Sequence, residues 1–376
     1  MPEMDGTTTW DSIKYLRIRL VKTTSRNILW IPLMDKLKAR ILAWGTNWLN
    51  KAGKLILINS VLSAMPIYQA SILLAPKGIV KDIDRLLRKF LWEGGRSEGN
   101  KMHLIGWDKV KTPKLEGGLQ IKDMAMHNVA MGGKILWKMI SGKTTWSSKA
   151  LRTKYFFSHK EGCLERPPRT NKGSPIFSLC LKAINLISSN LTWIPGNGKK
   201  IKFWDDCLLG HPSIHNREGM ANIKNWLHSV SKTTIWDLSV WNTDDSWKNW
   251  DLGAYPHNLE NEAQSLLEAL QGFTPLSAKK KDKLGWGSSN GHYSAATGYS
   301  TLLAIPWAAL DPSVWRNLWN HPSIPKIDIF CWSLLHNSIL TWDNLKKKDG
   351  KGLQDARYAP VTRNPLTIFS LTAPLL

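Results

Sequence analysis

The stretch KGIVKDIDRLLRKFLW, residues 77–92, is the clearest guide to the fold of this chain. On a helix with about 100° between residues, its apolar side chains fall on one side: Ile79, Ile83, Leu86, Leu87 and Phe90. The opposite side collects four cations: Lys77, Lys81, Arg85 and Arg88. The pattern predicts an amphipathic helix with a cationic face, which either contacts phosphates or is simply solvated.

Two earlier segments show the same helical spacing. Apolar residues recur every three or four positions from residue 33 to 48, and again from Leu55 to Met65, where Pro66 ends the pattern. Together with residues 77–92, they predict a small three-helix bundle. Before them, YLRIRL at residues 15–20 alternates like a short strand, with Arg17 and Arg19 on one face.

The charge of the chain points to a polyanionic partner. Its 376 residues contain 51 Lys and Arg against 29 Asp and Glu, giving a formal charge of +22. Residues 1–160 hold 28 of the cations and 11 of the acids, so the excess lies in the N-terminal part. Nucleic acid is the first candidate. Residues 226–275 are acidic instead, which predicts a linker facing water or a basic neighbour.

Several classes of protein are excluded by composition. The four cysteines, at 163, 180, 207 and 331, lie far apart, so neither a zinc ribbon nor a disulfide framework is expected. No run of about 18 apolar residues predicts a membrane span, and no secretion signal is present. We therefore expect an intracellular protein, nuclear if functional, without a metal, a cofactor or a small-molecule substrate.

Catalytic motifs are not recognisable in the sequence. Metal-assisted phosphoryl transfer requires clustered carboxylates, but Asp205–Asp206 and Asp244–Asp245 are predicted to form turns or caps. There is no P-loop and no H-E-x-x-H. The sequence predicts that the chain is not an enzyme.

Three further features of the sequence predict local structure or contacts. Lys109, Lys111 and Lys114 flank the Gly117–Gly118 turn and could contact phosphate. Gly196-Asn197-Gly198 predicts the turn of a two-stranded hairpin. The tryptophans either stack on bases or, as we expect, anchor cores; the notable ones are Trp137, Trp204, Trp236, Trp241, Trp315, Trp319 and Trp332.

Successive blocks of the chain resemble the C-terminal half of plant LINE-type (non-LTR) retrotransposon reverse transcriptases. The resemblance begins with YLRIRL and continues in order to about residue 345. Its further blocks are PLMDKLKARILAWGTNWLNKAGKLILINSVLSAMPIY (32–68), IDRLLRKFLWEGG (83–95), HLIGWDKVKTPKLEGGLQIKDM (103–124), ALRTKYF (150–156), GNGKKIKFWDDCLL (196–209) and PKIDIFCWSLLHNSILTWDNL (325–345).

The resemblance implies a mainly α fold with small β elements. Its expected divisions are a thumb-like helical domain with a strand remnant (1–95), a helical connection block with a short hairpin (96–210), an acidic linker region (211–284), a truncated reverse-transcriptase zinc-binding domain (285–345) and an unstructured tail (346–376). The thumb would grip template-primer duplex through Lys77, Lys81, Arg85 and Arg88. The polymerase palm would lie upstream. Because residues 346–376 contain no cysteine, the family's zinc site is not expected.

The sequence thus predicts a non-catalytic, nucleic-acid-binding fragment of a retrotransposon reverse transcriptase, from a degenerate reading frame. Its partner would be RNA–DNA or DNA duplex, bound without sequence preference. One alternative is a protein-interaction module with incidental positive charge. Another is an enzyme with concealed polymerase or ribonuclease H activity.

Overall fold

A computed structural model describes most of the chain, with gaps. The described residues are 14–15, 18–19, 27–44, 49–93, 103, 105–141, 145–155, 174–204, 206, 219–271, 277–287, 291–303, 311–339, 341 and 344. The tail predicted for residues 346–376 lies outside them.

The described residues are mainly helical, which confirms the predicted fold class. The elements of the N-terminal third are β1 (Lys14–Tyr15), β2 (Ile18–Arg19), α1 (Ile31–Ala43), α2 (Lys51–Leu57), α3 (Ile67–Ala70), α4 (Lys77–Trp92), α5 (Trp107–Lys111) and α6 (Met124–Ile140). The later elements are α7 (Trp146–Tyr155), α8 (Pro175–Ser188), β3 (Leu191–Ile194), α9 (Ala221–Ser229), β4 (Ser239–Trp241), β5 (Trp247–Trp250), α10 (Glu260–Gln271), β6 (Lys283–Trp286), α11 (Ala295–Leu303), α12 (Pro312–Asn320) and α13 (Pro325–Leu335). Among these elements, the β structure consists of two-stranded antiparallel sheets.

The chain divides into two units, and the boundary falls within α6. The first unit joins Met1–Asn128 to Leu303–Leu376, and the second is Val129–Leu302. The five-part division expected from the resemblance stays a prediction. None of the described helices is both long and apolar enough to cross a bilayer.

The three predicted helices of the first unit are present as α1, α2 and α4. Helix α2 continues into a π-helical turn at Ile58–Leu62, shortly before Pro66. Helix α1 ends at Ala43, earlier than its apolar spacing predicts. Their inward-facing side chains share one buried core, to which each helix contributes at every third or fourth position, including Leu37, Ile58 and Ile83.

The same core receives two helices from the far end of the chain. Trp315 of α12 and Ile329 and Trp332 of α13 are buried in it. At the N-terminal end of this unit, Lys14–Tyr15 pairs with Ile18–Arg19 in an antiparallel ladder. The single strand predicted for residues 15–20 is therefore replaced by two short paired strands.

The second unit contains two cores. The first joins α6 and α8 to β6, with Leu136, Ile187 and Trp286 buried together. The buried Tyr293 hydroxyl donates a hydrogen bond of 2.6 Å to the Ala130 carbonyl. This contact ties the segment after β6 to α6.

The second core corrects the prediction that the acidic region is a linker. Helices α9 and α10 bury Ile223, Leu227 and Leu266 against Trp204 and neighbouring apolar residues. Exposed acidic side chains lie on α10, at Glu260 and Glu268, while the apolar positions of both helices keep helical spacing underneath. Net charge describes the surface of this segment and conceals its core.

The expected hairpin at Gly196-Asn197-Gly198 does not form. Strand β3 pairs instead with β6, and Ile194 lies opposite Lys283. The turn wraps around the Asp282 carboxylate, which accepts hydrogen bonds from the backbone N–H groups of Gly196 (2.7 Å), Gly198 (2.8 Å) and Lys200 (2.9 Å). A distant aspartate thus satisfies the donors that a hairpin partner would have used.

Candidate nucleic-acid interface

Helix α4 sorts its side chains as the sequence predicts. Its apolar side is buried in the core of the first unit, including Ile83, Leu87 and Phe90. On the other side, Lys77, Lys81 and Arg85 are exposed and Arg88 is half-buried. The four cationic side chains follow one another along the helix at intervals of three or four residues. They could approach successive phosphates of one strand.

The start of α4 is fixed by a buried asparagine. The Asn128 amide donates to the carbonyls of Ala70 (2.6 Å) and Leu73 (2.9 Å). Its oxygen accepts from the Ala75 N–H at 3.0 Å. These bonds hold the turn that leads into Pro76, from which the helix begins. The cationic face therefore stands on a rigid support.

Carboxylates on α4 only partly offset its charge. Asp82 forms an exposed ion pair with Arg85 at 2.8 Å, a kind of contact that contributes little to stability and opens readily. Asp84 is directed to Lys111 instead, with 3.2 Å between the ammonium and the carboxylate. The arrangement leaves the cationic face accessible to a polyanion.

Lys111 is a structural residue, which corrects its expected contact with phosphate. Its side chain is only 11% exposed, and its ammonium lies 2.5 Å from the Asp123 carboxylate and 3.3 Å from that of Asp108. Burial lowers the pKa of Lys111, but hydrogen bonding to Asp123 and the charges of Asp123 and Asp84 outweigh burial and raise the pKa above its usual value. Lys111 thus links α4 to the start of α6.

Lys109 and Lys114 are half-buried, and Lys114 lies beside an aromatic ring. The Lys114 ammonium lies 4.7 Å from the ring centre of Trp319, whose indole N–H donates to the Lys114 carbonyl at 3.1 Å. Burial lowers the pKa of His336, and the positive charge of Lys109 adds a smaller effect in the same direction. Their phosphate contacts stay a prediction, and the three lysines do not act as one group.

The contacts of the Gly117 turn with distant residues were not predicted from the sequence. The Gly117 carbonyl accepts hydrogen bonds from the indole of Trp332 (2.8 Å) and the imidazole of His336 (2.7 Å). His336 also stacks on Trp315, with 4.9 Å between ring centres. The glycine pair and the tryptophans are visible in the sequence, but nothing there pairs segments two hundred residues apart.

The tryptophans serve mainly as core residues, as expected. Trp137, Trp204, Trp315 and Trp332 are buried. Trp236, Trp241 and Trp319 are half-buried. The last three keep part of their surface available for other contacts.

The paired aspartates occupy turns where the structure describes them. The Asp206 carboxylate accepts from the Lys202 N–H at 2.8 Å, and Asp244 accepts from Ser246. Asp245 pairs with Lys279 at 2.6 Å. Asp205 lies outside the described residues. Across the part of the chain that the structure describes, no group of three or more His, Cys, Asp or Glu side chains could hold a metal ion.

The cysteines that the structure describes are Cys180 and Cys331, and both are free thiols. Burial raises the pKa of Cys180 to about 12, so this thiol is protonated at neutral pH. Cys163 and Cys207 lie outside the described residues.

Comparison with known proteins finds two plant relatives. A "Putative ribonuclease H protein" of Arabidopsis thaliana is 27% identical over 316 residues, covering 82% of this chain and 48% of the relative. An "Uncharacterized mitochondrial protein" of the same plant is 28% identical over 94 residues, covering 25% of this chain and 60% of the relative. The chain thus spans about half the length of the first relative. No protein-family model matches it.

These relatives change one prediction and leave others open. The prediction that the chain is not an enzyme is wrong by this comparison, because a relative matched over 82% of the chain bears the name of an enzyme. Both relatives are plant proteins. The finer assignment to the C-terminal part of a reverse transcriptase stays a prediction.

Proposed function

We propose that this chain binds duplex nucleic acid without sequence preference, as the thumb-containing part of a retrotransposon-derived protein. The observation that carries the proposal is the accessible row of Lys77, Lys81, Arg85 and Arg88 on a helix whose opposite side is fixed in a core. Cations at one-turn intervals on a rigid element can neutralise several phosphates together.

The surrounding charge supports the same function. Residues 1–160 carry a large excess of cations, which attracts nucleic acid over distances beyond direct contact. The resemblance to reverse transcriptases also supports the proposal, because residues 1–95 would correspond to the thumb, which grips template-primer duplex, and residues 285–345 to the zinc-binding domain. An RNA–DNA duplex is the matching substrate.

Salt-dependent binding tests the proposal. We would measure the affinity for a labelled RNA–DNA duplex between 50 and 200 mM salt, where each phosphate contact contributes about −0.9 to the slope of log affinity against log salt. Replacing Lys77, Lys81, Arg85 and Arg88 by Gln should flatten the slope by about two to four units.

A matched variant separates local contact from overall charge. Lys36, Lys38, Arg40 and Lys122 are exposed cations of the same unit, and their replacement by Gln removes the same formal charge. This control should change the slope by less than about one unit. Equal slopes for the two variants would remove α4 from the interface. Binding that does not depend on salt would favour the alternative, a protein-interaction module.

A second candidate function is ribonuclease H activity, favoured by the similarity of the chain to the ribonuclease H protein of Arabidopsis thaliana. The test is incubation of a hybrid carrying a labelled RNA strand with the protein and Mg²⁺. RNA fragments that EDTA suppresses would support it, and an intact RNA strand at excess protein would dismiss it. This outcome is independent of the salt slope.

A further inference from the structure

Two lysine runs, about eighty residues apart in sequence, meet at one end of the β3–β6 sheet. The first run, residues 199–202, follows the Gly196 turn. The second run, residues 279–283, ends at the first residue of β6. Seven lysines of these runs are exposed: Lys199, Lys200, Lys202, Lys279, Lys280, Lys281 and Lys283. We call them the lysine cluster. It belongs to the second unit, whereas α4 belongs to the first.

Packing of the turn holds the two runs together. Asp282 binds three backbone N–H groups of residues 196–200, and a Cβ at Gly196 would lie 2.2 Å from the carbonyl carbon of Lys281. Only glycine allows so close an approach. The proximity of the runs is therefore built into the fold and does not depend on mobile side chains.

The cluster carries a net positive charge. Residues 196–206 and 277–287 together contain seven lysines and three aspartates. The Asp282 carboxylate is buried and directed at the backbone. Lys279 pairs with Asp245, but both side chains are exposed, so water and salt weaken the pair. This charge would attract a polyanion.

Aromatic rings adjoin the cluster. The Lys199 ammonium lies 4.2 Å from the ring centre of Trp236, which stacks on Trp241 with 5.1 Å between centres and 29° between planes. The backbone N–H of Trp236 donates to the Gly198 carbonyl at 3.1 Å, which places the Trp236 residue beside the turn. Both rings are partly exposed.

Lysines beside stacked, partly exposed aromatic rings are typical of sites that bind single-stranded nucleic acid. Single strands present unpaired bases that stack on aromatic side chains while lysines contact the phosphates. Duplexes keep their bases inside the stack. We propose that the lysine cluster and the Trp236–Trp241 pair form a binding site for single-stranded nucleic acid. The proposal adds a second surface to the proposed duplex binding and does not depend on α4.

The test compares single-stranded and duplex probes on the full chain. We would measure binding of a labelled 20-nucleotide oligouridine and of the RNA–DNA duplex by fluorescence anisotropy. Replacing Lys199, Lys280, Lys281 and Lys283 by Gln should weaken oligouridine binding at least tenfold. It should also flatten the salt slope by about two to three units, since each single-strand phosphate contributes about −0.7. Duplex binding should change less than threefold.

A charge-matched control uses exposed lysines of the same unit. Lys134, Lys138, Lys149 and Lys182 lie on α6, α7 and α8, and their replacement by Gln should weaken oligouridine binding less than threefold. Equal losses for the two variants would overturn the proposed site. The α4 variant should show the reverse pattern, losing duplex affinity and keeping oligouridine affinity, so the two proposals fail separately.

The aromatic contribution has its own measurement. Trp241→Leu should weaken oligouridine binding about tenfold, whereas Trp241→Phe, which keeps a stacking surface, should weaken it less than threefold. A far-UV circular dichroism spectrum and a urea midpoint equal to those of the parent protein show that both variants are folded. Equal affinity of all three proteins for oligouridine would overturn the stacking role. Displacement of oligouridine by polyglutamate as readily as by unlabelled oligouridine would point to an acidic protein and overturn the nucleic-acid assignment.

Discussion

Helix α4 holds five cations and the segment from residue 107 to 123 holds four, but the two regions use them differently. On α4, Lys81 is exposed to solvent above a buried apolar face. In the second segment, Lys111 is almost buried and touches three carboxylates. Both are lysines in basic surroundings of the same unit. Their roles are decided by the carboxylates that the fold brings to them.

Helical periodicity predicts which cations are exposed on α4, but it does not do so for residues 107–123. Within α4, spacing alone tells which cations lie opposite the apolar face. Residues 107–123 form a short helix, a 3₁₀ turn and a glycine corner, so spacing does not tell which lysine faces inward. The two regions therefore respond differently to the same substitution, and that difference can be measured.

Lys111→Met should produce the largest loss of stability. The change leaves the Asp123 and Asp84 carboxylates, both largely buried, without their cation. Removing one partner of a buried pair costs about 3–5 kcal/mol. We expect the urea midpoint of unfolding to fall accordingly, with an unchanged slope.

The matched control is Lys81→Met on α4. Because Lys81 is exposed, this substitution should change the free energy of unfolding by less than about 0.5 kcal/mol. Lys81→Met should weaken duplex binding, whereas Lys111→Met should lower stability. Similar midpoints for the two variants would mean that Lys111 is not a structural cross-link.

Features that depend on helical periodicity were predictable from the sequence, and features that depend on distant partners were not. The three helices of the first unit and the exposed cations of α4 were predictable, because each depends on neighbours within a few residues. The core of α9 and α10 was not predicted, because the net acidic charge of the region does not reveal helically spaced apolar residues such as Ile223 and Leu266.

Contacts between distant segments could not be predicted. The Gly196 turn is typical of a hairpin, and its actual partner, Asp282, is more than eighty residues away. Likewise, Asn128 looks like an ordinary helical residue until the carbonyls of Ala70 and Leu73 are placed beside it. A buried polar group is explained by its partners, which one sequence does not identify.

Gly117→Ala should produce an intermediate loss of stability. Gly117 has a φ of +87°, and an added Cβ would lie 2.8 Å from the Trp315 ring. Strain in this left-handed conformation costs about 1–3 kcal/mol, and the ring must also move. We expect a lower thermal midpoint, together with a change in near-UV circular dichroism as Trp315 and His336 repack.

Gly78→Ala supplies the contrast within α4. No atom lies within 4 Å of a Cβ built there, and alanine favours helix by about 0.5–1 kcal/mol relative to glycine. This variant should therefore be slightly more stable than the parent protein. If Gly117→Ala were as stable as Gly78→Ala, the close approach of Trp315 to Gly117 would be contradicted.

Acidification should produce the smallest effect, through His336. Burial lowers the pKa of His336, the hydrogen bond to the Gly117 carbonyl raises it, and the charge of Lys109 lowers it, with a net decrease. In the unfolded chain histidine titrates at about 6.5. As the pH falls below that value, the unfolded chain binds the proton first, so the protein loses stability.

Urea midpoints at pH 7.5 and pH 5.5 measure this effect. The parent protein should be less stable at pH 5.5, and His336→Asn should reduce the difference. His127, whose pKa burial also lowers, contributes with the same sign in both proteins and cancels in the comparison. Lys109→Gln removes a nearby positive charge, so it should raise the pKa of His336 and also reduce the difference. If Lys109→Gln leaves the pH dependence unchanged, Lys109 does not act on His336 and resembles the exposed Lys81. The difference between α4 and residues 107–123 would then depend on Lys111 alone.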